Sequence, residues 1–253
     1  MDLRLTTMHR YQFERTNPSE ALPVLEVSHS ICNEAEGDFT EQLALSLGSR
    51  TWVVALTKDF EASYHYAQDR LELEKQLYEK RCKVTANLAA AYNDLGATYS
   101  MKRLPTQAFP LLLKSKELRE SMPAFKPEHN FSPLHELSLA YWHHDENEEA
   151  IKCLLQTLTD REAALGLNDR QSVRTGQIFY ALGNVRVSQA FVDEGAMWHQ
   201  KALVHFRATG VDNHYKTASA CYRVAEHHMR NKQFTLARYV SARISDYSTL
   251  CMH

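Results

Sequence analysis

Four small residues at nearly equal intervals constrain this chain more than any other feature of its sequence. Gly96 in NDLGATY, Ser138 in HELSLAY, Gly183 in YALGNVR and Ala225 in YRVAEHH stand 42, 45 and 42 residues apart. Each is followed twelve residues later by a second small residue, Ala108, Ala150, Gly195 or Ala237, across a short polar turn such as HHDENEE or RNKQFTL. Self-similarity at such a period is the mark of a repeat architecture, and it sets the fold class before any single element is considered.

Both halves of each unit carry helical spacing. Leu88, Tyr92, Leu95 and Tyr99 recur at steps of four, three and four, and Leu134, Leu137 and Tyr141 repeat the pattern in the next unit. The second halves place Ala108, Leu112 and Ser115, or Ala150 and Leu154, on one face. Two antiparallel helices approach closely only where no bulky side chain stands between them, which gives the small residues their role. Ser132-Pro133 reads as a cap with proline in the first helical position, and Asn17-Pro18-Ser19-Glu20 as a cap with its glutamate reaching back. Gly and Pro number only 8 and 7 in 253 residues, too few for the corners of a β-sandwich.

Carried backwards, the period makes PSEALPVLEVSHSICNEA the second helix of a first unit, with Ala21 at its small position. EQLALSLGSRTWVVAL and DFEASYHYAQDRLELEK then form the second unit, where either Gly48 or Arg50 takes the small place. The expected units are 1–40, 41–83, 84–127, 128–169, 170–212 and 213–247, with a tail at 248–253, all in one solenoid over 1–253.

Charge and cysteines narrow the function. Lys plus Arg (29) nearly balances Asp plus Glu (31), so no global field attracts nucleic acid or an anionic membrane. No apolar run suits a transmembrane helix, and the first residues lack a signal-peptide core. Cys32, Cys82, Cys153, Cys221 and Cys251 are odd in number, scattered and free of any CxxC pattern, as expected of reduced thiols in a cytoplasmic or nuclear protein.

The Leu-Gly pair, the aromatic three residues on and the small residue of the next helix resemble tetratricopeptide repeats. AYNDLGATY, EEAIKCLLQTLTDREAALGLNDRQSVRT and YALGNVRVSQAFVDEG carry the resemblance, which is strongest from about residue 84 to 244. A unit near 42 residues is similar to the long variety found in kinesin light chains and fungal multi-repeat proteins. The amino-terminal heptads of kinesin light chains are missing, so a motor-adaptor role is not carried over. Arg186 and His228 replace the expected aromatics. The resemblance implies an all-α fold, a right-handed α-solenoid of about six antiparallel helix pairs whose first helices line a concave groove. It also implies that asparagine at the place of Asn93 holds ligand backbone.

The period selects the groove residues. Three before each small position lie Asn93, His135, Tyr180 and Tyr222. One turn on come Ala97, Leu139, Asn184 and Glu226, then Ser100, Trp142, Val187 and Met229, with Arg10 as the polar site of the first unit. The candidates for ligand contact are Arg10, Asn93, Ser100, His135, Trp142, Tyr180, Asn184, Tyr222 and Glu226. Aromatic rings with polar tips and amides that both donate and accept suit an extended peptide better than a phosphate backbone. Tyrosine and tryptophan at helical spacing are also ordinary core residues, and Tyr99 and Tyr141 are expected to be so.

Catalytic and metal chemistry finds little support. Adjacent histidines such as His143-His144 and His227-His228 point about 100° apart on a helix and make poor chelates, so they read as solvated turn residues. No nucleophile motif or phosphate loop is present. QDRLELEKQLYEKRCK reads as a solvated helix face. The expectation is a non-catalytic scaffold without cofactor or metal, binding a protein or peptide, with self-association through uncapped ends as a further expectation. The alternative is a small-molecule-binding or acid/base catalytic protein of cyclase or isomerase type, using His135, Tyr180, Tyr222 and Glu226 in the groove.

Overall fold

The computed structural model describes residues 18–34, 38–167, 172–209 and 215–248. Among them are eleven α-helices and no strand. Two compact units divide the chain between His144 and Asp145.

In the first unit, α1 (Pro18–Glu34) precedes the pair α2 (Thr40–Leu56) and α3 (Phe60–Arg81), then the pair α4 (Ala86–Met101) and α5 (Pro105–Glu120). A 3₁₀ turn at Pro127–Asn130 leads into α6 (Phe131–His143). Side chains satisfy orphan amides at several helix starts. Asp59 accepts from the Ala62 amide at 3.0 Å, and Thr85 from that of Leu88 at 3.1 Å. The core gathers Ala67, Leu71, Leu88, Ala89, Ala91, Leu95 and Leu118, with Tyr64, Tyr92 and Tyr99 packed against it.

The small residues do what the spacing predicts. A Cβ on Gly96 would lie 2.7 Å from Leu112 Cγ, and both Leu112 and Ala108 are fully buried beneath it. Burying such a leucine contributes about 2 kcal/mol through the area it removes from water. In the second pair the small place belongs to neither Gly48 nor Arg50. Thr51 is buried there, twelve residues before Ser63, whose hydroxyl donates to the Thr51 carbonyl at 3.0 Å. Thr51 is small enough to pack yet is neither Gly, Ala nor Ser, so the residue-type pattern hid it.

The second unit holds α7 (Asn147–Leu165), the pair α8 (Arg174–Ser188) and α9 (Val192–Ala208), and the pair α10 (Tyr215–Arg230) and α11 (Phe234–Ser248). Its core contains Val173, Ala202, Leu203, Phe206, Ala220, Cys221 and Val224, flanked by Phe179, Tyr180 and Val240. Where Arg186 replaces the expected aromatic, its guanidinium lies 5.7 Å from the centre of the Phe191 ring and pairs with Glu194 at 3.0 Å. A stacked cation thus substitutes for an aromatic contact.

One backbone device recurs in both units. Lys58, Arg103, Asp145, Ala190 and Lys232 all have positive φ, between 56° and 67°, and each stands seven residues after a small position. Around four of them the bonding is the same. Asp59 N–H reaches Val54 O, Leu104 reaches Tyr99, Phe191 reaches Arg186 and Gln233 reaches His228. The left-handed residue itself bonds three back, as Ala190 does to Val187. These are Schellman endings built without glycine.

Several expectations need correction. Ser132 does not cap α6, because the 3₁₀ turn runs straight into the helix and leaves Ser132 inside it. The charged run after Gln68 is not wholly solvated, since Arg70 and Glu74 are buried. Asn17, Arg10 and the start of the first expected unit lie outside the described residues.

Candidate functional site

The candidate stripe is closed in the first unit. Asn93 is 3% exposed, Ser100 1%, and Ala97 between them is fully buried. Short side chains on α2 and α4, including Ala44, Gly48 and Ala97, let the first helices close on one another. Polar groups there satisfy the fold itself. The Trp52 indole N–H donates to Asp94 Oδ1 at 2.9 Å, and the Arg70 guanidinium pairs with Asp94 Oδ2. One turn from Arg70, burial pushes the Glu74 carboxyl above its ordinary range; Arg70 opposes that rise and Glu41 adds to it. The Asn93 Oδ1 and the Ser100 hydroxyl have no partner among the described residues, yet neither reaches the surface.

His135 and Trp142 are partly covered. The His135 ring stacks on Phe131 at 5.5 Å, with Nδ1 3.3 Å from Glu136 Oε1. Trp142 stacks on His143 at 5.4 Å. His143 is not a solvated turn residue: its Nδ1 bonds the Ser100 carbonyl at 3.0 Å. Burial, then the charge of Arg103, holds its pKa below the usual value. Tyr99 meets Tyr64 edge-on and Tyr141 packs on Phe109, both among neighbouring rings.

The second unit presents the stripe openly. Tyr222 is 59% exposed and Met229 53%, both on α10, while Tyr180, Asn184 and Glu226 are half-buried. Glu226 joins two arginines, receiving Arg223 at 3.2 Å and Arg230 at 2.8 Å. Burial disfavours the Arg223 charge, but hydrogen bonds with the Tyr180 hydroxyl and Glu226 outweigh it and hold its pKa above the ordinary value. The Tyr180 bond links α8 to α10, and the Glu226 bond lies within α10. His227 Nε2 lies 4.0 Å from Asp193 Oδ1.

Beneath this surface lies a residue the sequence reading passed over. His199, in α9, is 2% exposed, with Nε2 3.1 Å from Asn184 Oδ1 and its ring 5.3 Å from that of Tyr180. Burial, then the Arg223 charge, lowers its pKa to about 4. The signal was present: counting four beyond the second small residue gives Leu112, Leu154 and then His199. Arg223 was equally legible as the counterpart of Asp94, each two residues before a small position. Among the described residues no group of three or more metal-ligating side chains assembles, and no helix is long and apolar enough to cross a membrane.

Residues 134–171 match the family model of the tetratricopeptide repeat, and the helix pairs on either side repeat the same geometry. Within this chain, residues 134–171 are a tetratricopeptide repeat. No curated protein matches this repeat protein's sequence. Among solved structures it is similar to BtubC (BKLC) from P. vanneervenii, with 14% identity over 93% of this chain and 92% of that one, at a TM-score of 0.65. A putative kinesin light chain of Podosopora anserina with nearly identical TPR-like repeats shares 14% identity. That alignment covers 85% of the repeat protein and 97% of the relative, at a TM-score of 0.56. A Rap protein complexed with Competence and Sporulation Factor matches at 12% identity, covering 97% and 74%, with a TM-score of 0.67. At these identities the likeness establishes the all-α solenoid fold.

Proposed function

We propose that this protein is a non-catalytic interaction scaffold that holds an extended peptide segment of a partner protein on the α8–α10 stripe. The observation that carries this reading is the exposure of Tyr222 and Met229 beside the Arg223–Glu226–Arg230 cluster. An extended segment offers main-chain donors and acceptors that half-buried amide, phenol and guanidinium groups can meet, while the exposed aromatic and thioether supply apolar area. The similar Rap protein was solved with a bound factor, which agrees with binding on a fold of this kind. A reducing compartment, cytoplasmic or nuclear, fits the free thiols of Cys32, Cys82, Cys153 and Cys221.

Selection of displayed random linear peptides on the immobilised protein tests the reading. Peptides enriched on the wild type should be lost by a Tyr222→Ala, Met229→Ala double variant that melts like the wild type. Enrichment of no peptide would sink the peptide reading, and undiminished binding by the double variant would move the site elsewhere.

A further inference from the structure

Resting on that reading, we infer that His199 is a positioning residue that holds the Asn184 amide and the Tyr180 ring in the geometry a peptide meets. Three observations converge on it. Its place in the period is taken by fully buried leucines in two other helices, Leu112 in α5 and Leu154 in α7, so the fold itself does not call for a polar ring. Leucine would fill the volume and leave no polar atom to satisfy.

The chain makes room for the histidine. A Cβ on Gly183 would stand 2.5 Å from His199 Nε2 and 2.9 Å from the Gly195 carbonyl oxygen. Glycine at 183 lets the ring come this close to α8 and reach Asn184.

Its polar edge is spent on groove residues. Because Asn184 Oδ1 only accepts, the His199 tautomer with its proton on Nε2 is the one that bonds it. That tautomer commits the amide oxygen and leaves the Nδ2 end for a ligand carbonyl, with the Tyr180 backbone as the ring's other partner. The titratable and charged groups facing the ring are Arg223, Glu226 and His227 on α10 and Tyr180 on α8. Asn184, Tyr180, Arg223 and Glu226 are therefore held as one constellation with His199 beneath it. Locking them before a ligand arrives removes an ordering cost from binding.

Two measurements on the full chain test this. In the first, the side-chain amide of Asn184 is followed by NMR in nitrogen-labelled protein. The wild type should show a dispersed, slowly exchanging pair. His199→Leu should melt no lower than the wild type, yet bring that pair to the position of a free asparagine. His199→Gln, which can present an N–H at the same place, should restore it. His199→Met makes the same comparison if leucine does not fold.

In the second, peptides selected on the wild type are titrated against each variant. His199→Leu should bind about tenfold more weakly and His199→Gln about as well as the wild type, the effect expected for one positioning hydrogen bond. Unchanged Asn184 signals in His199→Leu, or a glutamine variant that behaves like leucine in both measurements, would overturn the inference. If no peptide is selected, the scaffold reading fails and the Asn184 signals alone decide the role of His199.

Discussion

The Arg70 guanidinium lies across Gly48, where a Cβ would stand 2.5 Å from Nη1. Arg70 arrives from α3 and fills the place that Asn93, His135, Tyr180 and Tyr222 fill from their own helices. It then pairs with Asp94, which also receives Trp52.

That relationship predicts a change of sign. Gly48→Ala should cost about 3 kcal/mol by driving Arg70 off Asp94 and stranding a buried charge. In an Arg70→Ala background the same substitution should instead stabilise by about 1 kcal/mol, the ordinary helix preference for alanine over glycine. A double-mutant cycle by urea unfolding measures both arms.

Acid should destabilise the protein through His199. Its folded pKa, about 4, lies below the unfolded value near 6.5, so the unfolded chain binds the proton more readily. The stabilisation is therefore full above pH 6.5 and is lost as pH falls towards 4, on the order of 3 kcal/mol in total. Melting temperatures of the wild type and His199→Leu across that window check it, with the variant showing a shallower acid limb. Burial also lowers His29 and His143, so a residual slope should persist in the variant.

Ala190→Gly should raise stability by about 0.5–1 kcal/mol. Ala190 is exposed with φ at 67°, a conformation that costs an L-residue more than glycine, less the entropy glycine gains when unfolded. Thermal melts of the variant would show an upward shift, whereas Ala190→Val should move the other way.

Tyr222→Ala alone should change stability by less than about 0.5 kcal/mol, because the ring is largely in water. Chemical unfolding curves that overlay the wild type would agree with a surface role. A large loss would show that the ring is structural.

The repeat made most of the fold legible: Gly96, Gly183, Ala108 and Ala150 are packing points where the spacing put them. What stayed hidden depended on side-chain size across neighbouring helices. Asn93 and Tyr180 hold the same place in the period, but Asn93 shares its stripe with Ala97 and Ser100, and the helices close over it. Tyr180 and Tyr222 carry rings too large to be covered in that way. Thr51 escaped notice because a buried hydroxyl reads as polar in a one-dimensional pattern. Arg70 escaped because its role depends on an absent side chain at Gly48.

The left-handed turn residues have a consequence for how such a chain changes length. The connections 57–59, 102–104, 189–191 and 231–233 each contain three residues, whereas the loops between pairs differ in length, from four at 82–85 to longer at 121–130. The turn inside a pair works as a fixed ruler, because one added residue would misplace the left-handed residue and every small contact beyond it. The loops between pairs are slack. Insertions, deletions and whole-pair duplications can accumulate there while the twelve-residue interval that makes each hairpin pack stays untouched.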